Sequence, residues 1–583
     1  MICTTSSGSA AVDGRSPTGE RRRPPAEAVV ARISPALDAE YRTASLWSDA
    51  SVYDLWRACL ASAPDQDVVV DSRGFRASYR QADDRAARLA GFLRSVGVGR
   101  GDVVSVVLPN WAEYLVVNVA CLKLGAIINP TLPQYGYREL RYLLDQSCAK
   151  ALVVVTRFRS IDHREDARRL AAAAPWLRTV LTVGPRTPDD LPFATLDEAL
   201  VGDPLPEAEC TPGKGNAVVA VLFTSGSETQ PKGVMLTHNN VLASERGFGE
   251  ALGLRVGERM FMPAPLAHAT GYLHGLTMPL MFRGTVILLD RFRGLDALRL
   301  INTEQATCLM GSTTIVDDIV EAARERGGFH PGLRRICCGG APVPAGLVER
   351  ALDLGVPVHA VYGATESAPH TMTRPSDPLD RVIHSDGRAV PGTRIRIVDH
   401  QTHETLPPGT EGEEASRGPA VFVGYLRDPE RTASVLDDDG WYYSGDLAVM
   451  DADGYIRVTG RIKDTILRGG ENISAREVEE ILLQHPAVRD VAVVAMPHPR
   501  LGESACAFVV PRAGADPLTL DGVRAFFTLM EVARFKTPER VENVDALPIT
   551  PTGKVCKGLL RARIAALVAQ EAAARGDRPQ EER

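Results

Sequence analysis

Hydroxyls, glycines and a lysine crowd one short stretch, Thr224-Ser225-Gly226-Ser227-Glu228-Thr229-Gln230-Pro231-Lys232-Gly233. It follows an apolar run, Ala217–Phe223, that reads as a buried strand. A loop of this composition after a strand offers backbone N–H groups and hydroxyls to phosphate oxygens. Lys232 adds a point charge. The stretch is not a Walker A loop: Pro231 stands where the second glycine is needed and Gly233 where Ser or Thr is needed. Taken alone it reads equally well as a surface turn.

Five further segments follow in order: Tyr362-Gly363-Ala364-Thr365-Glu366, Tyr443-Ser444-Gly445-Asp446, Gly460-Arg461-Ile462-Lys463-Asp464, Gly469-Gly470-Glu471-Asn472 and Pro551-Thr552-Gly553-Lys554. Each sets a charged residue beside glycine or a hydroxyl. There is no G-x-S-x-G, H-E-x-x-H or G-x-G-x-x-G, so hydrolase, metalloprotease and dinucleotide readings have no support.

These segments need a frame to hold them. From Trp47 to about Gly363, short apolar runs alternate with helical stretches. Val103–Leu108, Ala151–Thr156, Ala217–Phe223, Thr285–Asp290, Arg335–Cys338 and Val356–Tyr362 read as buried strands, and Tyr79–Ser95 and Pro344–Leu354 as helices. The alternation implies an α/β architecture of mainly parallel sheets. After Arg374 the pattern becomes that of half-exposed strands, Thr393–Val398 and Glu413–Val423, in a smaller β-rich part. Beyond Arg461 a compact α+β pattern begins. A capping box, Ser474-Ala475-Arg476-Glu477, opens a helix to about Gln484. Strands Val491–Met496 and Cys506–Val510 follow, then a helix near Leu520–Met530.

The expected organisation is therefore a disordered leader over 1–42, a large domain over 43–460, a small mobile domain over 461–569 and a polar tail over 570–583. A chain of 583 residues exceeds one ordinary core. The formal charge of −7 argues against a general nucleic-acid binder. No apolar run is long enough for a membrane span; the longest candidate, Tyr114–Ile128, reads as a buried helix. The Arg21–Arg23 run has no apolar segment after it, unlike a secretory signal. The ten cysteines show no pairing or zinc spacing, as expected of reduced thiols in a cytoplasmic protein.

From about Ser51 to Arg563, the six motifs in this order resemble the superfamily of acyl-CoA synthetases, peptide-synthetase adenylation domains and firefly luciferases. Cys338-Gly339-Gly340-Ala341-Pro342-Val343-Pro344 and Ile466–Ser474 bring the chain nearest to stand-alone ligases activating cyclohexanecarboxylate or medium-chain acids. The resemblance implies an ATP-dependent ligase that forms an acyl-adenylate and pyrophosphate, then passes the acyl group to coenzyme A. It implies ATP, Mg²⁺ and coenzyme A as cofactors and a small carboxylic acid as substrate, and leaves a homodimer open.

By resemblance, Thr224, Ser225, Gly226, Ser227 and Lys232 hold phosphates, with Thr224 near the chemistry. Gly340, Ala341 and Pro342 lie against adenine, beside Tyr362, Gly363 and Thr365. Glu366 carries Mg²⁺, Asp446 grips the ribose, and Arg461 adds a ribose and phosphate contact. Lys554 bridges the incoming carboxylate and the α-phosphate. His268, within Pro265–Gly271, lines the acyl pocket and pantetheine tunnel, with Gly311, Ser312, Thr313 and Ala364 at the acyl group. Lys463 takes the hinge position, and Gly469, Gly470 and Glu471 flank the pantetheine thiol.

Glu228 and Thr229 depart from the usual hydroxyl residue and glycine, and Glu228 brings a negative charge to a phosphate loop. The main alternative is a ligase that loads a separate acyl carrier protein. An amino-acid adenylation domain would need an Asp near Ala267–His268, and none is there. A degenerate scaffold would have lost Lys554, Glu366 or Asp446, and all three are present.

Overall fold

The computed structural model describes residues 33–184, 193–224, 231–468, 471–530, 532–550 and 554–574. Among them two large sheets carry most of the chain. The nine-stranded sheet has six parallel strands in spatial order: Val358–Ala364, Arg335–Gly339, Cys308–Ser312, Arg259–Met262, Thr285–Leu288 and Asp67–Asp71. Antiparallel strands close its edges. In the seven-stranded sheet, Val218–Thr224, Ile127–Thr131, Val103–Val107, Ala151–Val155 and Thr179–Val183 run parallel. Lys232–Thr237 turns back on its edge.

These strands are buried on both faces, which is why they read as continuous Val/Ile/Leu runs rather than alternations. Helix Tyr79–Ser95 has the bounds expected, because Ser78 and Gln81 form a capping box at its start. Helix Glu113–Leu124 is buried all round from Tyr114 onward, Asn118 and Lys123 included, as its largely apolar sequence requires. No described helix is long and apolar enough to cross a membrane.

A four-stranded antiparallel sheet follows, ending in Tyr442–Met450 and Ile456–Arg461. A single turn, Ile462–Asp464, leads to Thr465–Arg468 and a separate five-stranded sheet with its own core. That core packs Val478 and Leu482 of helix Ala475–Leu482 and Phe527 of helix Leu520–Leu529 against strands Val488–His498 and Gly502–Pro511.

Several expectations need correcting. The leader reading fails over its last residues: Pro35–Thr43 is a helix whose Tyr41 is buried edge-on against Trp47 at 4.8 Å. Residues 1–32 of the leader lie outside the described residues. The expected strand Glu413–Val423 is Glu411–Arg417, and Gly418-Pro419 ends the pairing. The capping box at Ser474 is half made. Ser474 Oγ accepts from Glu477 N at 3.3 Å, while the Glu477 carboxylate instead takes Lys536 Nζ at 2.6 Å. Helix Lys557–Ala574 runs five residues into the expected tail.

Candidate active site

Ligands of α/β folds bind outside the carboxyl ends of the parallel strands. Thr224 ends one strand and pairs across a hairpin with Lys232. The phosphate-loop candidates Ser225, Gly226 and Ser227, and the departures Glu228 and Thr229, lie outside the described residues. Thr224 Oγ1 is buried and has no partner among the described residues. The hairpin differs from the strand–loop–helix arrangement of Walker sites, in keeping with its sequence.

Lys232 reaches across to the other sheet. Its Nζ lies 2.7 Å from Glu366 Oε1 and 2.6 Å from Tyr425 Oη. Tyr425 Oη donates to the same Glu366 oxygen at 2.8 Å. Glu366 is buried, and burial together with Glu366 pushes the Tyr425 phenol well above its ordinary range. A buried carboxylate already facing an ammonium is a position that favours a cation. Among the described residues no cluster of three or more His, Cys, Asp or Glu could hold a metal ion. One carboxylate fits Mg²⁺ that arrives on phosphates and keeps its waters, rather than a resident metal.

The nucleotide end is built where strand Arg335–Gly339 lies beside Val358–Ala364. Gly340 turns with φ +85, a left-handed conformation that favours glycine. At Gly363 a Cβ would lie 2.1 Å from Ala368 O, so only glycine lets the Thr365–Ser367 turn fold back this closely. Thr313 Oγ1 donates to Pro342 O at 3.0 Å and so holds the Gly340–Pro342 loop. Ser312 stands at the same helix start, directly after Gly311, with its Oγ 3.3 Å from Thr314 Oγ1 and no side-chain cap bond to the helix backbone.

Asp446 lies in strand Tyr442–Met450, opposite Arg461 in the neighbouring strand. Their side chains meet at 2.6 Å, and Tyr362 Oη donates to the other Asp446 oxygen at 2.8 Å. Burial raises the Asp446 carboxyl, opposed by the charge of Arg461 and the Tyr362 hydrogen bond. A cavity of about 230 Å³ opens among Gly340, Pro342, Tyr362, Asp446, Arg461 and Lys554.

Lys554 comes from the small C-terminal unit. Ile549 and Val555 pair across its turn, and Lys554 N donates to Thr550 Oγ1 at 3.0 Å. The residue keeps solvent contact, yet protein crowds its ammonium from several sides. That crowding and Arg461 lower its pKa, while Asp446 and Glu366 act the other way. The same ammonium acts on His268, whose imidazole burial and Lys554 push down to about 4, so it is neutral at pH 7. His268 precedes a π-helical turn, Gly271–Thr277, a backbone form that recurs at functional sites.

The structure thus brings Lys232, Glu366, Tyr362, Asp446, Arg461, His268 and Lys554 to one cleft. Ala364 and Thr365 adjoin it at the strand end. Gly469 and Gly470 lie outside the described residues, and Glu471 is placed by its backbone alone, paired with Arg468. Lys463 falls in the turn between the two units. Sequence reading missed Tyr425, Glu414 and His370.

The AMP-binding enzyme family matches residues 56–426, and its C-terminal domain matches 477–554. The chain belongs to this family. It is 43% identical over 536 residues to the medium-chain fatty-acid–CoA ligase of Escherichia coli, covering 91% of this chain and 94% of that protein. The feruloyl-CoA synthase of an Amycolatopsis species is 36% identical, over 87% of this chain and 98% of its own. The ATP-bound MatB of Rhodopseudomonas palustris superposes with a TM-score of 0.79 at 29% identity, covering 89% of this chain and 100% of that one. As a member of this family, the protein is an AMP-forming acyl-CoA synthetase. It forms an acyl-adenylate from ATP and a carboxylic acid, and coenzyme A rather than a carrier protein then takes the acyl group.

Proposed function

We propose that this ligase activates medium-chain aliphatic acids and that the cleft residues divide the work as follows. The observation that carries the assignment of roles is the meeting of Lys554 with Asp446, Arg461 and Tyr362 around one cavity. Asp446 accepts hydrogen bonds from the ribose hydroxyls, with Arg461 holding it in place. The Gly340–Pro342 loop and Tyr362 face the adenine. Lys232 moves from Glu366 to the phosphates when ATP enters, and Glu366 would hold Mg²⁺. When bound, Mg²⁺ supplies positive charge to the triphosphate oxygens.

In the first half-reaction the carboxylate oxygen attacks the α-phosphorus and the bond to pyrophosphate breaks. Nucleophile, electrophile and leaving group are all anionic, so positive charge matters more than a base. Lys554 provides it between carboxylate and α-phosphate. In the second, the thiol sulfur of coenzyme A attacks the acyl carbon and AMP leaves with the acyl C–O electron pair. The thiol proton passes to solvent. His268, neutral at pH 7, lines the acyl end without adding charge.

The medium-chain preference is supported by the 43% identical relative and by the apolar π-helical turn after His268, where Tyr272, Leu273 and Leu276 are buried. Free thiols at nine described cysteines support a cytoplasmic location. Acid-dependent pyrophosphate release across aliphatic, alicyclic and aromatic carboxylates tests the substrate class. Medium-chain aliphatic acids are expected to give the highest kcat/KM. A preference for aromatic acids would overturn this assignment.

A further inference from the structure

Behind the cleft lies a second set of polar groups for which the reaction has so far given no use. Glu414, on strand Glu411–Arg417, is fully buried, as are His370 and Ser367. Ser367 Oγ and His370 Nδ1 are 2.7 Å apart. His370 Nε2 faces Glu414 Oε2 at 3.4 Å. That oxygen is also 3.4 Å from Tyr362 Oη, whose other acceptor is Asp446 at 2.8 Å. The Tyr362 and His370 rings meet edge-on, 4.7 Å between centroids.

These distances trace a continuous chain: Ser367, His370, Glu414, Tyr362, Asp446, Arg461. One end is the residue after Glu366. The other is the pair placed at the ribose. The chain crosses from the edge of the nine-stranded sheet to the four-stranded sheet, so it ties together two parts that share no strand pairing at this point. Burying a carboxylate and an imidazole is costly, and a fold that needed only packing would do as well with apolar side chains. Neither Glu414 Oε1 nor His370 Nε2 has a hydrogen-bond partner among the described residues, so the two side chains meet at contact distance only, which adds to that cost. The Tyr362 hydroxyl has one proton to donate. Glu414, drawn toward His370, leaves that proton to Asp446 and so fixes where the Asp446 carboxylate points.

We propose that Glu414 and His370 are positioning residues for ATP: through Tyr362 they hold Asp446 in register with the Glu366 turn. This rests on the reading of Asp446 as the ribose grip. The test is a double-mutant cycle of Glu414→Gln and Tyr362→Phe, both close in shape to the parent residues, read as KM for ATP, for the acid and for coenzyme A. Each single variant should raise the ATP KM about tenfold, the effect of one hydrogen bond to a charged group, with the other two KM values within about twofold. The double variant should cost little more than either single one, since cutting the chain once suffices. A parent-like ATP KM in Glu414→Gln, or effects that multiply in the double variant, would overturn the proposal. If Glu414→Gln fails to fold, Glu414→Leu/His370→Leu leaves no buried charge unpaired and is measured instead, with the same expected rise in ATP KM; a parent-like value overturns the proposal. Asp446→Ala is the control. If it leaves the ATP KM unchanged, the ribose assignment itself fails; if it raises the KM while the Glu414 variant does not, only the chain of positioning residues fails.

Discussion

The two sides of the cleft are built differently. On the large unit each charged group is already tied down: Glu366 by Lys232 and Tyr425, Asp446 by Arg461 and Tyr362. On the small unit, Lys554 N donates to Thr550 Oγ1 and its carbonyl accepts from Thr550 N at 2.7 Å. Polar ties across the junction include Ser474 to Thr459 at 2.9 Å and Arg457 to Glu480 at 3.3 Å, the second half-exposed and worth little in water. On the proposed scheme the nucleotide grip is preorganised, whereas the small unit delivers the lysine. Catalysis by preorganised charge suits the first side, and exchange of one set of groups for another suits the second.

The largest effect that could break this contrast is expected at Lys554. Lys554→Ala should slow adenylation by about two orders of magnitude or more, measured as pyrophosphate exchange. Thioester formation from pre-made acyl-adenylate should survive. Equal loss in both half-reactions would mean that the lysine belongs to the permanent site.

The proposed movement of the small unit is probed at Lys463, in the turn between Arg461 and Thr465. Proline there fixes φ near about −65°. Lys463→Pro should keep adenylation within about tenfold, because Lys554 already faces the cleft, and should cut thioester formation much further. No loss in either half-reaction would place the pivot elsewhere.

A smaller effect is expected on the preorganised side. Glu366→Gln replaces a charged oxygen ligand with a neutral one, so the Mg²⁺ concentration for half-maximal adenylation should rise several-fold with the fold intact. A titration that overlays the parent curve would remove Glu366 from the metal's surroundings.

The smallest is in stability. His238, His268 and His359 all lie in the large unit, and burial pushes each down to about 4. Unfolded, each binds its proton near the ordinary value of 6.5. The unfolded chain therefore holds more protons between pH 4 and 6.5, and stability falls as pH drops through that window. Thermal unfolding from pH 7 to 4 should show a falling midpoint, and His238→Gln should lessen the slope. A flat profile would mean that these rings are not held neutral.

Much of this was legible from local pattern. The helix Tyr79–Ser95 follows from its cap residues, and strands such as Val103–Val107 from apolar runs that only a two-sided burial explains. The charged residues of the cleft were legible as motifs, because each stands near a glycine or hydroxyl residue that marks it. What stayed hidden depends on distant pairing. Tyr425 meets Lys232 from 193 positions away, and Glu414 meets Tyr362 from 52. No periodicity encodes such contacts. The helix Pro35–Thr43 was hidden for a similar reason: its weak local signal is completed by Trp47 and by Arg417, which pairs with Glu40.

Nucleotide binding by Lys554→Ala tests the division between preformed grip and delivered lysine most directly. Calorimetric titration of AMP, with no acid or coenzyme A present, separates binding from turnover. A dissociation constant within about threefold of the parent is expected, because Asp446, Arg461 and Tyr362 hold their places without the small unit's lysine. Loss of AMP binding in step with loss of pyrophosphate exchange would refute it.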